Sequence, residues 1–268
     1  MLKQKITIIG GGNIGRSIAE GLIQSGAIKN GQLMVTRRTA KGIQALSDLK
    51  IKVSNNNVKA VRNADIVVIA VQPKQLIGVL EEINAVLTEK KRIVVSVVSG
   101  VSTDDIQEVI GSKIALFRAM TNTAISVQQS MTCITRKVGS KADEKAIHSL
   151  FENLGEVAVI EEDLMASATV LAACGIAFAM RFIRAASQGG IEIGFDSDIA
   201  QFISAQTLRG ATSLLLSTGK HPEREIDKVT TPQGCTIAGL NEMEHQGFSS
   251  ALIKGLITSH KKINDIAS

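Results

Sequence analysis

Five apolar, β-branched runs punctuate the first 117 residues: KITII (5–9), QLMVT (32–36), DIVVIA (65–70), RIVVSVV (92–98) and KIALF (113–117). Short runs that are apolar on both sides suit strands buried on both faces, and such strands belong to parallel sheets. The segments between them, 13–25, 40–49, 74–87 and 103–110, carry helical patterns. Strand–helix alternation of this kind predicts an α/β fold with a doubly wound sheet. SMTCIT (130–135) and VAVI (157–160) bracket a helix at 141–153 and extend the sheet. After Glu162 the strand pattern stops, and helices are predicted over 163–187, 196–217, 236–246 and 249–266. The expected organisation is a sheet domain over 1–160 and an all-helical domain over 161–268.

Composition narrows the function. The chain is 44% hydrophobic and 21% charged, enough for a sizeable core. It has no Trp and no Tyr, so hydroxyl chemistry falls to Ser and Thr. The net charge of +5 is scattered and lacks an aromatic stacking set, so nucleic acid is not an expected partner. Positive charge suits an anionic small ligand. Cys133, Cys174 and Cys235 are odd in number and far apart. That spacing offers neither a disulfide framework nor a metal site, and it points to the reducing cytoplasm. The stretch 164–180 is uncharged but only at the lower limit for a membrane span, so a buried or interface helix is expected there. Its Ala-rich surface suits close packing, including against a second subunit. His148, His221, His245 and His260 stand apart in polar contexts and read as solvated.

Gly10, Gly12 and Gly15 in IIGGGNIG form G-x-G-x-x-G between a predicted strand and a predicted helix. In that context the motif binds a dinucleotide. Gly10 permits the tight turn, Gly12 lets the backbone approach a pyrophosphate at the helix N-terminus, and Gly15 allows close helix–strand packing. NAD sites place Asp or Glu at the end of the second strand. Here that strand ends in Thr36, followed by Arg37 and Arg38. Guanidinium groups suit a 2′-phosphate, so NADPH is favoured over NADH. AVQPK (70–74) follows the strand 65–70, where loops line the ligand crevice, and Pro73 starts a helix. Asn57 either reaches the cofactor or caps a helix.

The chain resembles the pyrroline-5-carboxylate reductase family along essentially its whole length. The residues that carry the resemblance are the glycine fingerprint, AVQP (70–73), RAMTNTA (118–124), AACGIAF (172–178) and, most specifically, VTTPQGCTIAGL (229–240). The resemblance implies an N-terminal Rossmann-like domain and a C-terminal helical domain that interlocks with a second subunit, making a homodimer the minimum unit. The implied activity is NADPH-dependent reduction of the cyclic imine 1-pyrroline-5-carboxylate to L-proline. The implied cofactor contacts are Gly10, Gly12, Asn13, Ile14, Gly15, Arg37, Arg38, Asn57, Ala70, Val71, Gln72 and Pro73. The implied substrate contacts are Val229, Thr231, Gly234, Cys235 and Thr236, with Thr236 as the main polar side chain. As a structural element alone, Thr236 would be a helix N-cap.

Several positions depart from the family pattern. Gln72 stands where the family has Lys, Ala124 where it has Pro, and Gln233 where it has Gly in a turn that favours positive φ. Ala172, Cys174, Ile176 and Phe178 replace Ser, Ser, Pro and Tyr. These changes fit an active reductase, a reductase of a related cyclic imine, or a member that binds NADPH with little turnover.

Overall fold

The computed structural model describes residues 2–38, 46–47 and 51–267. The strands are β1 (Ile6–Ile9), β2 (Leu33–Thr36), β3 (Lys52–Ser54), β4 (Ile66–Ile69), β5 (Ile93–Ser96), β6 (Ala115–Met120), β7 (Ser130–Val138) and β8 (Gly155–Val159). They form one sheet in the order β3-β2-β1-β4-β5-β6-β7-β8. β1 to β6 run parallel, β7 returns antiparallel to β6, and β8 lies parallel to β7. The order reverses at β1, because the chain moves outward through β2 and β3 and resumes beside β1 at β4. In open α/β sheets the ligand crevice lies outside the carboxyl ends of strands at such a reversal.

Alternation along each strand feeds two cores. Ile6, Ile8, Ile66 and Val68 pack with Ile18 and Leu22 of α1 (Asn13–Gln24). Leu150 and Phe151, from the helix Lys141–Glu152, join the same core. Ile9, Val67, Ile69 and Val94 point the other way. They meet Val61 of α2 (Asn57–Arg62), Leu76, Leu80 and Ile83 of α3 (Leu76–Leu87), and Ile106 of α4 (Thr103–Ile110). Each such side chain stabilises the fold by roughly 1.5–3 kcal/mol on burial, so strands buried on both faces must read as continuous apolar runs. Thr7 is the polar exception in β1, and its hydroxyl donates to the Ala60 carbonyl at 3.0 Å.

Arg92, just before β5, is 2% exposed. Its Nε donates to the Val61 carbonyl at 3.1 Å and its Nη2 to Arg62 at 2.9 Å. Its Nη1 donates to the carbonyls of Val86 at 2.5 Å and Leu87 at 3.3 Å. Those residues end α2 and α3, so one guanidinium satisfies the terminal carbonyls of two helices.

The helix Lys141–Glu152 is α5. The remaining helices are α6 (Met165–Ala168), α7 (Gly175–Glu192), α8 (Ser197–Thr218), α9 (Pro222–Asp227), α10 (Cys235–His245) and α11 (Phe248–Ala267). A π-helical turn, Thr169–Cys174, joins α6 to α7, and the Asn122 side-chain amide donates to the Ala172 carbonyl inside it at 3.1 Å. The chain forms two compact units: Met1–Ile176 with Ser259–Ser268, and Ala177–Thr258.

Among the described residues the structure adds one strand and two α-helices that the sequence pattern does not show, β3, α2 and α9, and it moves the strand expected at 113–117 to Ala115–Met120. Of the helix expected at 40–49, residues 46–47 are helical and the rest lies outside the described residues.

Candidate functional site

A cleft of about 430 Å³ opens at the carboxyl ends of β1, β2 and β4. Ile9 and Gly10, Gly11 and Gly12 of the β1–α1 turn line it, with Thr36, Arg37 and Arg38 at the end of β2. Asn55 and Asn57 contribute from the start of α2, and Ala70, Val71, Gln72, Gln75 and Val79 from the segment after β4.

The three motif glycines have different reasons to be glycine. Gly10 has φ of 107°, and a Cβ there would lie 2.3 Å from the Ala70 carbonyl oxygen. Gly15 is buried in the first turns of α1 against Gly10 and Ala70. Gly12 has φ of −77°, and a Cβ there would meet nothing within 4 Å. Neither backbone nor packing demands glycine at position 12. It is the N-cap of α1, with no side-chain cap bond, so the helix start faces the cleft through space a side chain would fill. The N–H groups and the positive end of a helix at such a start suit an anion.

At the end of β2, the Arg37 backbone N–H donates to Ser54 at 3.0 Å and its Nη1 to the Gly11 carbonyl at 2.6 Å. Arg37 is therefore half-buried and oriented, while Arg38 is exposed. The described lining residues include two guanidinium groups and no carboxylate. Asn57 is held by the Thr36 hydroxyl and does not cap α2. The cap is Asn56, whose Oδ1 accepts from the Lys59 N–H at 2.8 Å.

Of the residues expected to meet a cofactor, Gly10, Gly12, Arg37, Arg38, Asn57, Ala70, Val71 and Gln72 line this one cleft. Asn13, Ile14 and Gly15 lie on α1 behind its N-cap. Pro73 begins the 3-10 turn Pro73–Gln75 that leads into α3. Gly11, Asn55, Gln75 and Val79 also line the cleft and escaped the sequence reading. Gln75 carried a usable signal: it follows Gln72 at capping-box spacing, and its Oε1 accepts from the Gln72 N–H at 3.4 Å.

The second group of expected residues lies in the unit Ala177–Thr258. Thr231, Pro232, Gln233 and Gly234 form a turn closed by Gly234 N–H to the Thr231 carbonyl at 2.9 Å. Pro at the second position and positive φ at the third are type II features. Gln233 has φ of 60°, so the turn keeps the left-handed conformation expected of a glycine at this position. A Cβ at Gly234 would lie 2.6 Å from Thr231 Oγ1, so a larger residue there has to turn that hydroxyl aside. The N-cap of α10 is Gly234, with Cys235 and Thr236 as the first two helical residues. The N-cap reading of Thr236 is thus corrected: the turn closes two residues earlier. The first α10 bond runs from Ala238 N–H to the Gly234 carbonyl, which leaves the N–H groups of Cys235, Thr236 and Ile237 directed outward. Val229, Thr231, Cys235 and Thr236 are all exposed on this unit.

Comparison with known proteins joins these observations. Residues 162–266 match the model for pyrroline-5-carboxylate reductase dimerisation, and residues 5–100 match that for coenzyme F420-dependent NADP oxidoreductases. The chain is 46% identical over 269 residues to pyrroline-5-carboxylate reductase 1 of Dictyostelium discoideum, covering 96% of this chain and 49% of that protein. It therefore spans about half the length of that relative. It is 42% identical over 275 residues to pyrroline-5-carboxylate reductase 2 of the same organism, covering 97% of this chain and 92% of that protein. The crystal structure of a Plasmodium falciparum pyrroline carboxylate reductase with NADP bound shares the fold, with a TM-score of 0.92 over 100% of both chains at 23% identity. At 42% identity over 92% of the second Dictyostelium relative, the chain belongs to the pyrroline-5-carboxylate reductase family.

Proposed function

We infer that this chain reduces the cyclic imine 1-pyrroline-5-carboxylate to L-proline, with NADPH as the hydride donor. The observation that carries the reading is the 42% identity to a reductase of that name over 92% of its length. The cleft supports the cofactor. A side-chain-free N-cap at Gly12 suits a pyrophosphate, and Arg37 with Arg38 suits a 2′-phosphate. NADP is also the nucleotide bound in the Plasmodium structure.

The chemistry the dinucleotide supplies when bound is a hydride delivered to the imine carbon. The chain's own residues bind and orient. The outward N–H groups at the start of α10 suit the substrate carboxylate. The Thr236 hydroxyl, beside them, is assigned to the ring nitrogen, fixing which ring face is presented. Positioning of this kind can account for much of a barrier reduction. With the ring nitrogen protonated, the C=N π pair returns to nitrogen as hydride adds to carbon. No strong general acid is needed in that step.

The match over 162–266 makes the chain a homo-oligomer, and we take a homodimer as the minimum unit. The helical run Glu162–Glu192 is long and apolar enough to cross a membrane. Its position in the dimerisation segment, and the exposed Met180, Phe202 and Leu216 of α7 and α8, favour a subunit interface instead. The three free cysteines favour a reducing cytoplasmic setting.

The test follows NADPH oxidation at 340 nm with 1-pyrroline-5-carboxylate and identifies proline as product. Tight NADPH binding without consumption of this imine would sink the assignment. Consumption of a different cyclic imine alone would move it to a related substrate.

A further inference from the structure

The Asn57 amide at the cleft is held from two sides. Thr36, buried at the end of β2, donates its hydroxyl to Asn57 Oδ1 at 2.6 Å. Asn57 Nδ2 donates in turn to Glu82 Oε2 on α3 at 2.8 Å. An amide oxygen only accepts and its nitrogen only donates, so this relay fixes which end of Asn57 points where. It also sets a carboxylate one hydrogen bond behind a residue that lines the cleft. Thr36 occupies the position where NAD-selecting sites carry an acid. Here that position holds a hydroxyl, and a carboxylate reaches the same corner from α3 through Asn57.

We propose that Glu82 is a specificity residue, which tempers the preference for a 2′-phosphorylated dinucleotide while holding Asn57 in place. Arg37 and Arg38 draw the 2′-phosphate into the cleft, and the Glu82 charge opposes it. The inference rests on the reading of the cleft as a site for NADP(H). Its two parts separate chemically. Glu82→Gln keeps an oxygen to accept from Asn57 Nδ2 and removes the charge. Glu82→Ala removes both, and Thr36→Val removes the other anchor of Asn57. Glu82 is exposed on α3, so these changes at position 82 leave the core intact.

The experiment measures dissociation constants by calorimetry for NADPH, NADH and 2′,5′-ADP at two salt concentrations, with unfolding midpoints alongside. Glu82→Gln is expected to tighten NADPH and 2′,5′-ADP about three- to tenfold and to leave NADH within about twofold. The gain shrinks at higher salt. Glu82→Asp keeps the wild-type ratio, while Glu82→Ala and Thr36→Val weaken both dinucleotides. An unchanged NADPH-to-NADH ratio in Glu82→Gln overturns the inference while leaving the cofactor assignment standing. A wild-type protein that binds none of the three ligands overturns the assignment, and this inference with it.

Discussion

A Cβ on Gly15 would fall 2.0 Å from the carbonyl oxygen of Gly10. No rotamer relieves that clash, because both atoms belong to backbone-fixed positions. Gly15→Ala must push α1 off β1 and is expected to cost about 1–3 kcal/mol, with loss of NADPH binding. Gly12→Ala puts its methyl into open space at an ordinary φ. It should leave the urea midpoint nearly unchanged and still weaken NADPH tenfold or more, on the order of 1.4 kcal/mol. Matched losses of stability in the two variants would remove the distinction drawn between these glycines.

Arg37→Ala combined with Arg38→Ala should weaken NADPH far more than NADH, on the order of tenfold or more against less than threefold. NADH serves as the control because Arg37 also bonds the Gly11 carbonyl, and loosening that turn affects both nucleotides. Equal losses, read by fluorescence titration, would show that these arginines do not sense the 2′-phosphate.

Gln233 holds φ of 60° in the turn before α10. A non-glycine residue there costs about 1–2 kcal/mol, of which glycine's greater unfolded-state entropy returns roughly 0.5–1. Gln233→Gly is therefore expected to raise stability by about 0.5–1 kcal/mol. Urea unfolding should show a higher midpoint with an unchanged m-value. A lower midpoint would mean that the side chain of Gln233 makes a compensating contact.

Asp143 gives a pH signature. Burial would raise its pKa, but the Lys91 ammonium at 2.8 Å and the N–H and hydroxyl of Ser140 hold the carboxyl below its ordinary value. A depressed folded pKa contributes stability above the unfolded pKa, near 3.9, and loses it as pH falls through the folded value. Asp143→Asn should be about 1–2 kcal/mol less stable at pH 7, with the gap closing below about pH 4. A gap that stays constant down to pH 2.5 would rule out this charge as the source.

Much of the sheet was legible because both of its faces are covered, so β1, β4 and β5 had no polar side to show. β3 was not: it is a three-residue edge strand, Lys-Val-Ser, with an exposed lysine. α2 and α9 are six residues each, too short for a period of 3.6 to declare itself. β6 was placed early because Arg118 looks like the end of an apolar run. It is buried in the strand and paired with Glu162 at 2.5 Å, a partner 44 residues away that no local pattern announces. The glycine turn and the β2 arginines were readable from spacing alone. Asn55 and Val79 were not, because their place in the cleft depends on β3 pairing with β2 and on α3 packing beside Ile9 of β1, a tertiary fact. Local chemistry favours threonine as a cap, but that alternative for Thr236 fails because the Pro232–Gln233 turn closes the helix start at Gly234.

Arg92 sits at the other rim of the sheet from the cleft lined by the glycine turn, yet it touches the feet of both helices whose heads border it. Asn57 opens α2, and Val79 lies in the first turn of α3. Each hydrogen bond of that guanidinium goes to a backbone carbonyl. The spacing between the two pillars is thus gauged at their base, like a bracket that sets the width of a doorway from the floor. The corner proposed to discriminate one nucleotide from another inherits its dimensions from a residue buried at the opposite rim of the sheet.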